Sequence, residues 1–199
     1  MPRKGLNRQV VINAAIQLIE EKGYHNFSMR ELADRLQVKT ASLYNHVSNM
    51  DSLHSEIGYY AISELRRVQL AAIRDKQRDD AVLALACAYY DFAKEHTELY
   101  KIIMSLSVLQ DDDLLDAAGD VVESIMIVLS GYDLGETQKI HLQRVLRSIM
   151  HGFISQEEAG CFRHFPVEVS ESFRVAISYF LDNLHKMEWD GKSKRLNTG

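Results

Sequence analysis

Residues 28–47 carry the pattern that most limits what this chain can fold into: two short amphipathic helices separated by a tight break. Ser28 followed by Glu31 forms a capping box, which predicts that the first helix begins there. Thr40 is a suitable cap for the second helix. The inward apolar positions recur at helical spacing around the break and are Leu32, Ala33, Leu36, Val38, Leu43 and Val47. This arrangement is typical of a helix-turn-helix.

The outward face of the second helix carries hydrogen-bond donors and acceptors, an aromatic hydroxyl and few acids. Its residues are Lys39, Thr40, Ser42, Tyr44, Asn45 and His46. Side chains of this kind contact phosphates and base edges in protein–DNA complexes. The pattern therefore predicts a module that reads DNA, with a helical hairpin of some unrelated domain as the alternative.

Residues in and around this segment agree in register with one family. They are Gly23, Tyr24, Ser28, Arg30, Leu32, Ala33, Val38, Leu43, Tyr44, His46, Val47, Asn49 and Leu53. Through them, roughly the first 55 residues resemble the DNA-binding domain of the tetracycline-repressor (TetR) family. The resemblance implies a homodimeric, all-helical transcriptional regulator. A small molecule entering its C-terminal domain would make it release or bind a DNA operator.

Two residues depart from the family pattern. Gln37 stands where the turn glycine is usual, which predicts a non-glycine residue in a strained or left-handed conformation. Met50 replaces the lysine that is common after Asn49, so one expected phosphate contact is missing. Weaker nonspecific DNA binding follows from the second departure.

The residues predicted to bind DNA come from three places: the N-terminal arm, the start of the first helix of the helix-turn-helix, and its second helix. We call these two helices the first and second reading helices. Tyr44 and His46 are expected to hold phosphates, while Ser28 and Arg30 anchor the helix that they begin. The arm residues track phosphates or enter a minor groove, or else form a solubilising terminus. The full set is Arg3, Lys4, Arg8, Ser28, Arg30, Lys39, Thr40, Ser42, Tyr44, Asn45 and His46.

The net charge of −5 is divided unevenly along the chain. Residues 1–50 hold seven Lys and Arg against four acids, a balance of +3, and the remainder carries −8. A basic module on an acidic body directs a polyanion to the N-terminal end. The charge pattern therefore agrees with a double-stranded DNA operator as partner.

Composition favours an all-α protein, because the 199 residues include only two prolines and ten glycines. We expect about nine helices. The predicted domains are a three-helix DNA-binding domain (1–48), a helical ligand-binding and dimerisation domain (49–187) and a flexible tail (188–199). No apolar run reaches the roughly 18 residues of a membrane span, and the N-terminus lacks a signal-peptide core. We therefore expect a cytoplasmic protein without a membrane partner.

The C-terminal part supplies aromatic and methionine side chains suited to an adaptable apolar pocket, which predicts a small, largely apolar effector of unknown identity. The predicted ligand-binding residues are Tyr89, Tyr90, Phe92, Tyr100, Met104, Met126, Met150, His151 and Phe153. Plain core packing is the alternative for each of them. Residues around His151 and Gly152 also resemble a TetR subgroup with a Trp, His and Gly motif, although no Trp stands beside them here.

Apolar residues recur at helical spacing on the last long helix. They are Phe173, Ile177, Phe180, Leu181 and Leu184. The stripe is predicted to be the dimer interface, where two helices from each subunit form the four-helix bundle that the resemblance implies. The alternative is that the stripe faces the chain's own core.

Sites for chemistry are few in this sequence. No phosphate-binding loop, metal-spaced Cys/His cluster or nucleophile–base set appears, so we expect no enzyme, no catalytic residue, no metal and no cofactor. The run 111–113 of three aspartates is more typical of a helix start than of a metal site. The alternative function is a dimeric ligand-binding protein or enzyme whose helix-turn-helix no longer binds DNA.

Overall fold

The computed structural model of the chain describes residues 5–24, 26–105 and 112–196, and over these ranges it is helical without strands. Nine helices lie within the described residues, which confirms the all-α expectation. They are α1 (Arg8–Lys22), α2 (Met29–Leu36), α3 (Thr40–Leu43), α4 (Met50–Ile73), α5 (Arg78–Glu95), α6 (Thr97–Ser105), α7 (Asp112–Leu129), α8 (Glu136–Glu158) and α9 (Val169–Leu196). In these ranges no helix combines the length and apolar character that crossing a bilayer requires.

Two compact units divide the chain. The first runs to Glu64 and includes Glu95–Ala118, and the second comprises Leu65–Lys94 and the residues from Gly119 onward. This division does not follow the predicted domain boundary after residue 48, because α6 packs against α1 within the first unit. Helix α4 supplies residues to both units.

Local caps define the helices of the first unit. Asn7 begins α1, its side-chain oxygen accepting a hydrogen bond from the Val10 N–H at 3.0 Å. Gly23 ends α1 with φ +91°, a conformation that glycine adopts at little cost. Asn49 caps the start of α4 by accepting from the Ser52 N–H at 2.7 Å. These local interactions set the bounds of α1 and the start of α4.

Gln37 ends α2 in the left-handed conformation, with φ +55° and ψ +42°, which confirms the expectation for this position. Its backbone N–H donates to the Asp34 carbonyl at 3.1 Å, and the Val38 N–H donates to the Ala33 carbonyl at 3.0 Å. These two bonds satisfy carbonyls that the end of α2 would otherwise leave without partners. The tight break between the reading helices thus depends on a strained residue.

Replacing Gln37 by glycine is expected to raise the free energy of unfolding by about 0.5–1 kcal/mol. A side chain in the left-handed region costs about 1–2 kcal/mol, and the extra backbone entropy that glycine loses on folding offsets part of this gain. Urea unfolding followed by circular dichroism measures the change. Gln37→Ala is the control, because it keeps the Cβ atom and should give no comparable gain. Equal stabilisation by both variants would contradict this explanation.

Helix α6 is tied to the first unit by polar contacts as well as by its buried residues Leu99 and Ile102. The Glu98 carboxylate accepts a hydrogen bond from the Tyr24 backbone N–H at 2.8 Å, just beyond the end of α1. His96 Nδ1 lies 3.5 Å from a carboxylate oxygen of Glu20. These contacts explain why residues so far along the chain belong to the N-terminal unit.

The second unit has its core between α8 and α9, which pack against each other. The predicted dimer stripe faces this interior: Phe173, Ile177, Phe180 and Leu184 are between 0% and 4% exposed within the single chain, and Leu181 is half-buried. The assignment of these four side chains to a dimer interface is therefore wrong, since a partner has almost no surface left to cover on them.

The predicted flexible tail is also wrong over the described residues, because α9 continues through Leu196. Glu188 is buried, and its carboxylate accepts hydrogen bonds from Arg78 at 2.9 Å and from the Asp133 backbone N–H at 2.8 Å. Arg78 also stacks over the Tyr132 ring, 4.4 Å from its centroid. The Glu188 carboxylate thus holds α9 against the start of α5 and the α7–α8 loop of its own unit. The aspartates 112 and 113 open α7, and their side chains lie outside the described residues.

Candidate nucleic-acid interface

The start of α2 is built by Ser28, Glu31 and Lys22. Ser28 Oγ accepts from the Glu31 N–H at 3.3 Å, and the Ser28 hydroxyl donates to the Glu31 carboxylate at 2.9 Å. Lys22 donates to the other Glu31 oxygen at 2.6 Å, and this bond, followed by the one from Ser28, lowers the pKa of Glu31. The predicted cap is confirmed. Glu31, however, reaches the Ser28 hydroxyl, whereas a full capping box has it accept from the backbone N–H of the cap residue.

The second reading helix is shorter than the sequence pattern predicts. Helix α3 ends at Leu43, and a turn follows in which the N–H groups of His46 and Val47 donate to the Leu43 carbonyl at 2.8 and 3.0 Å. The position before α3 is occupied by Lys39, which makes no side-chain cap, so Thr40 is the first helical residue and not the cap. Leu43 and Val47 are buried as predicted and hold this turn on the core of the unit.

The predicted reading residues are presented at the surface. Tyr44 is 52% exposed, and Lys39, Asn45 and Arg30 are also exposed. Those half-buried beside them are Thr40, Ser42 and His46. A one-turn helix with donors on its outward face can bring several side chains to one groove of DNA. Contacts between these residues and DNA stay predictions.

Much of the positive charge of this module is already paired. Arg8 binds Glu56 through two hydrogen bonds of 2.7 and 2.6 Å, and the bond to Glu56 raises the pKa of Arg8. Arg35 binds the Glu21 carboxylate through both terminal nitrogens. Ion pairs of this kind reduce the number of cations that can neutralise phosphates unless they open. The predicted contacts by Arg3 and Lys4 lie outside the described residues.

Glu56 is a residue of this surface that the sequence analysis missed. It lies on α4, 48 residues after Arg8, and its side chain is 14% exposed against 66% for Arg8. No local pattern joins two residues so far apart, so the sequence offered no signal for the pair. A phosphate approaching Arg8 must compete with this carboxylate.

Replacing Glu56 by glutamine is expected to tighten binding to a random-sequence duplex, because it releases the Arg8 guanidinium. The log–log salt dependence of binding should steepen by nearly one unit, the value for one additional phosphate contact. Titrations at several salt concentrations measure both quantities. The same substitution in an Arg8→Gln background should change neither, and an equal gain there would mean that Glu56 acts only as a local negative charge.

Replacing Tyr44 by phenylalanine is expected to weaken binding by about 1–1.5 kcal/mol on every DNA sequence, because a hydroxyl that holds a phosphate positions the protein without specifying bases. Isotherms on a selected operator and on random DNA test this. Weaker binding to the operator alone would indicate that Tyr44 contacts a base. Unchanged affinity for both DNAs would indicate that Tyr44 does not contact DNA.

The predicted effector-binding residues fall in both units. Tyr100 is buried and Met104 exposed in the first unit, and the others belong to the second. In the second unit the buried ones are Tyr89, Tyr90, Phe92 and Met150, and the half-buried ones are Met126, His151 and Phe153. The structure therefore does not collect the whole set in one unit, and their role as a ligand site stays a prediction.

Aromatic rings cluster where α5, α8 and α9 meet in the second unit. Tyr90 stacks on Phe173 with centroids 4.9 Å apart, and Phe153 lies edge-on to Phe173 at 5.6 Å. The Tyr90 hydroxyl donates to the Glu157 carboxylate at 2.5 Å. Burial is the main cause that raises the pKa of Tyr90, and this hydrogen bond is the second. Phe153 also lines a cavity of about 440 Å³ beside the α8–α9 loop, together with Phe162 and Phe165.

Two segments of the chain match known protein families, and both families are described as tetracycline-repressor-like. Residues 11–57 match the family described as "Bacterial regulatory proteins, tetR family", and residues 82–180 match "Tetracyclin repressor-like, C-terminal domain". The first match contains the helix-turn-helix. The second match begins after the first four residues of α5 and ends in the middle of α9.

Similar proteins extend over most of the chain. An uncharacterized HTH-type transcriptional regulator, YobS, of Bacillus subtilis (strain 168) is 28% identical over 92% of this chain and 95% of that protein. The solved structure of a protein with unknown function from Rhodococcus sp. RHA1 has a TM-score of 0.76 at 21% identity, covering 90% and 95% of the two chains. A TetR variant from Acinetobacter baumannii AYE in complex with minocycline has a TM-score of 0.67 at 16% identity, covering 92% and 99%. At these identities the two solved structures share the fold.

Proposed function

Because this chain belongs to the TetR family of transcriptional regulators, we propose that it is a ligand-responsive repressor that binds a pseudo-palindromic operator as a homodimer. The observation that carries the proposal is the exposed face of α3 and its following turn, where Tyr44, Lys39 and Asn45 project from a buried base. Two such faces related by a dimer axis meet two half-sites of one operator.

Exposed apolar residues of α8 and α9 support the dimer. On α9, Val175 (49% exposed) and Tyr179 (64% exposed) lie one turn apart, opposite the buried Ile177. On α8, Val145 is 49% exposed and lies on the same side as Gly152. These outer faces replace the buried stripe as the proposed interface between copies.

Gly152 adds an independent reason to place a partner helix there. A Cβ atom built on Gly152 meets no atom within 4 Å, so nothing in its own chain requires glycine at this position. Glycine inside a helix costs about 1 kcal/mol relative to alanine. Close approach of a second subunit's backbone would account for it.

The effector is proposed to be a small, largely apolar molecule bound in the second unit, and the protein to act in the cytoplasm. The aromatic cluster of Tyr90, Phe153 and Phe173 supports an apolar partner, since such rings line ligand sites as well as cores. The solved structure from A. baumannii is a complex with minocycline, and this supports the uptake of a small molecule by a chain of this fold.

Selection of bound sequences from random duplex DNA tests the proposal directly. The expected result is a pseudo-palindrome whose two half-sites are one helical turn or a multiple apart, bound by a dimer. Candidate small molecules are then added to the complex to find one that releases it. Enrichment of no sequence by the full-length protein would contradict the proposal.

A ligand-binding protein or enzyme that has lost DNA affinity is the second candidate. Three cations of the first unit, Arg8, Lys22 and Arg35, are paired with glutamates, and this favours weak electrostatic attraction to DNA. Under this alternative, the random-DNA selection recovers nothing and the Glu56→Gln variant gains no DNA affinity.

A further inference from the structure

Gln69, on α4, is fully buried, yet its side-chain amide forms no hydrogen bond. It has 0% exposure, and neither its amide oxygen nor its amide nitrogen has a hydrogen-bond partner. Gln143, on α8 of the same unit, repeats the situation in part: it is 8% exposed, and its buried amide oxygen has no partner. Buried polar groups in folded proteins nearly always have a partner, so each exception requires an explanation.

Two neighbours of Gln69 on its own helix are buried apolar residues. Leu65 and Ile73 lie one turn before and one turn after it, and both are buried. Helix α7 runs alongside this part of α4, because Arg66 is paired with Glu123 at 2.7 Å. The neighbouring inward residue of α7, Ile125, is fully buried as well. Gln69 thus presents one donor group and one acceptor beside these buried apolar side chains.

Structure alone does not account for an amide at this position. A buried amide without partners destabilises the folded chain, whereas an apolar side chain of the same shape is close to neutral or stabilising. A bound molecule that accepts from the amide nitrogen and donates to the amide oxygen removes this cost. The unpaired atoms therefore point to a ligand that has both groups side by side.

The buried polar groups of the second unit also limit the ligand's charge. The described polar residues of this unit that are buried as a whole are Gln69, Ser124, Gln143 and Glu188. Glu188 is the charged member, and it is already held by Arg78 and by the Asp133 N–H. The Arg66 guanidinium, whose Nε atom is buried one turn before Gln69, is already paired with Glu123 at 2.7 Å. An ionised ligand group would therefore lose its hydration there without gaining an unpaired opposite charge. A neutral group fits better.

We propose that Gln69 anchors the effector of this regulator, and that the effector is a neutral molecule with a carboxamide-like group on an apolar body. This deepens the proposed function and rests on it. Gln143 supplies a further acceptor oxygen in the same unit. Because α4 also contributes Leu53 and Ile57 to the buried core of the first unit, a molecule held at Gln69 acts on a helix that the reading module shares.

The test uses the full-length protein and three probes of similar shape: benzamide, benzoate and toluene. Isothermal titration calorimetry and thermal unfolding at millimolar probe concentrations compare the wild type with Gln69→Met. The wild type is expected to prefer benzamide over toluene by about tenfold in Kd and over benzoate by more. In Gln69→Met the preference for benzamide over toluene should disappear. Gln156→Met, at an exposed position of α8, is the matched control and should behave as the wild type.

Stability without any probe gives a second readout. Gln69→Met is expected to unfold at the same or a higher urea concentration than the wild type, because it removes two unpaired polar atoms from the interior. A purely structural glutamine would instead lose stability on this change. A clear loss of stability in Gln69→Met therefore overturns the proposal.

The remaining outcomes separate the two proposals. No binding of benzamide to the wild type, a preference for benzoate, or an unchanged preference in Gln69→Met each overturns the assignment of Gln69. Normal operator binding alongside one of these results leaves the regulator function standing. Benzamide discrimination that depends on Gln69, together with no DNA binding, keeps the ligand site and contradicts the regulator function.

Discussion

Replacing Ile177 by aspartate is expected to unfold the second unit. Ile177 is fully buried within its own chain, between Phe173 and Phe180 on the inward face of α9. A carboxylate placed there has no partner, and burying it costs several kcal/mol in addition to the lost apolar contacts. That is a large part of the 5–15 kcal/mol that typically stabilises a folded protein.

Circular dichroism and light scattering together test this expectation. Loss of helical signal with an increase in aggregated mass supports a core position for Ile177. Ser178→Asp, at the next and exposed residue of α9, is the control and should leave the helical signal unchanged. A folded monomer of Ile177→Asp would instead indicate that this side chain lies in the dimer interface.

Replacing Tyr179 by aspartate, alone and together with Val175→Asp, is expected to give a folded monomer that no longer binds the operator. Both side chains are exposed in the single chain, so the substitutions cost little there. In a dimer they would place unpaired charges in the contact, which costs several kcal/mol and dissociates a micromolar dimer. A monomer brings one reading face to one half-site, so operator affinity should fall at least about a hundredfold.

The measurements are mass by light scattering, helical circular dichroism and an operator isotherm on the same samples. Ala71→Asp, at an exposed position of α4, is the matched control and should remain a dimer with normal affinity. Intact dimers of the double variant would show that the subunits associate through another surface. Unfolding of the double variant would show that these side chains contribute to the chain's own core.

Local features of this fold could be predicted from the sequence because they depend on neighbouring residues. The cap at Ser28, the helix end at Gly23 and the left-handed Gln37 each rest on hydrogen bonds within about one helical turn. The capping residue Asn49 belongs to the same class. For such features the residue type and its spacing contain nearly all of the relevant energy.

The length of α3 is an intermediate case. Leu43 and Val47 follow helical spacing, and both are buried as expected, yet the helix ends at Leu43 and a turn brings Val47 inward. Isolated helices this short are unstable, so packing onto the rest of the unit determines the backbone between the two residues. Periodicity therefore identified which side chains lie inside without identifying the backbone that carries them there.

The stripe on α9 shows that the sequence can indicate which side chains are buried without indicating which helix covers them. Phe173, Ile177, Phe180 and Leu184 recur at helical spacing, and this correctly indicates a face that avoids water. The hydrophobic effect is non-directional, so the same stripe is equally satisfied by another helix of its own chain or by a partner subunit. Only the packing of α8 against α9 decided between them.

From the sequence alone, the helical class, the helix-turn-helix and its outward-facing residues could be derived, since all of them follow from propensity and periodicity over short stretches. The tertiary structure decided which charges are paired and which polar groups are left without partners. Arg8 and Glu56 are 48 residues apart, and Arg78 and Glu188 are 110 apart. Gln69 is exceptional only because of the interior in which it is buried. Contacts between distant residues depend on how the helices pack, and no spacing along the chain encodes that packing directly.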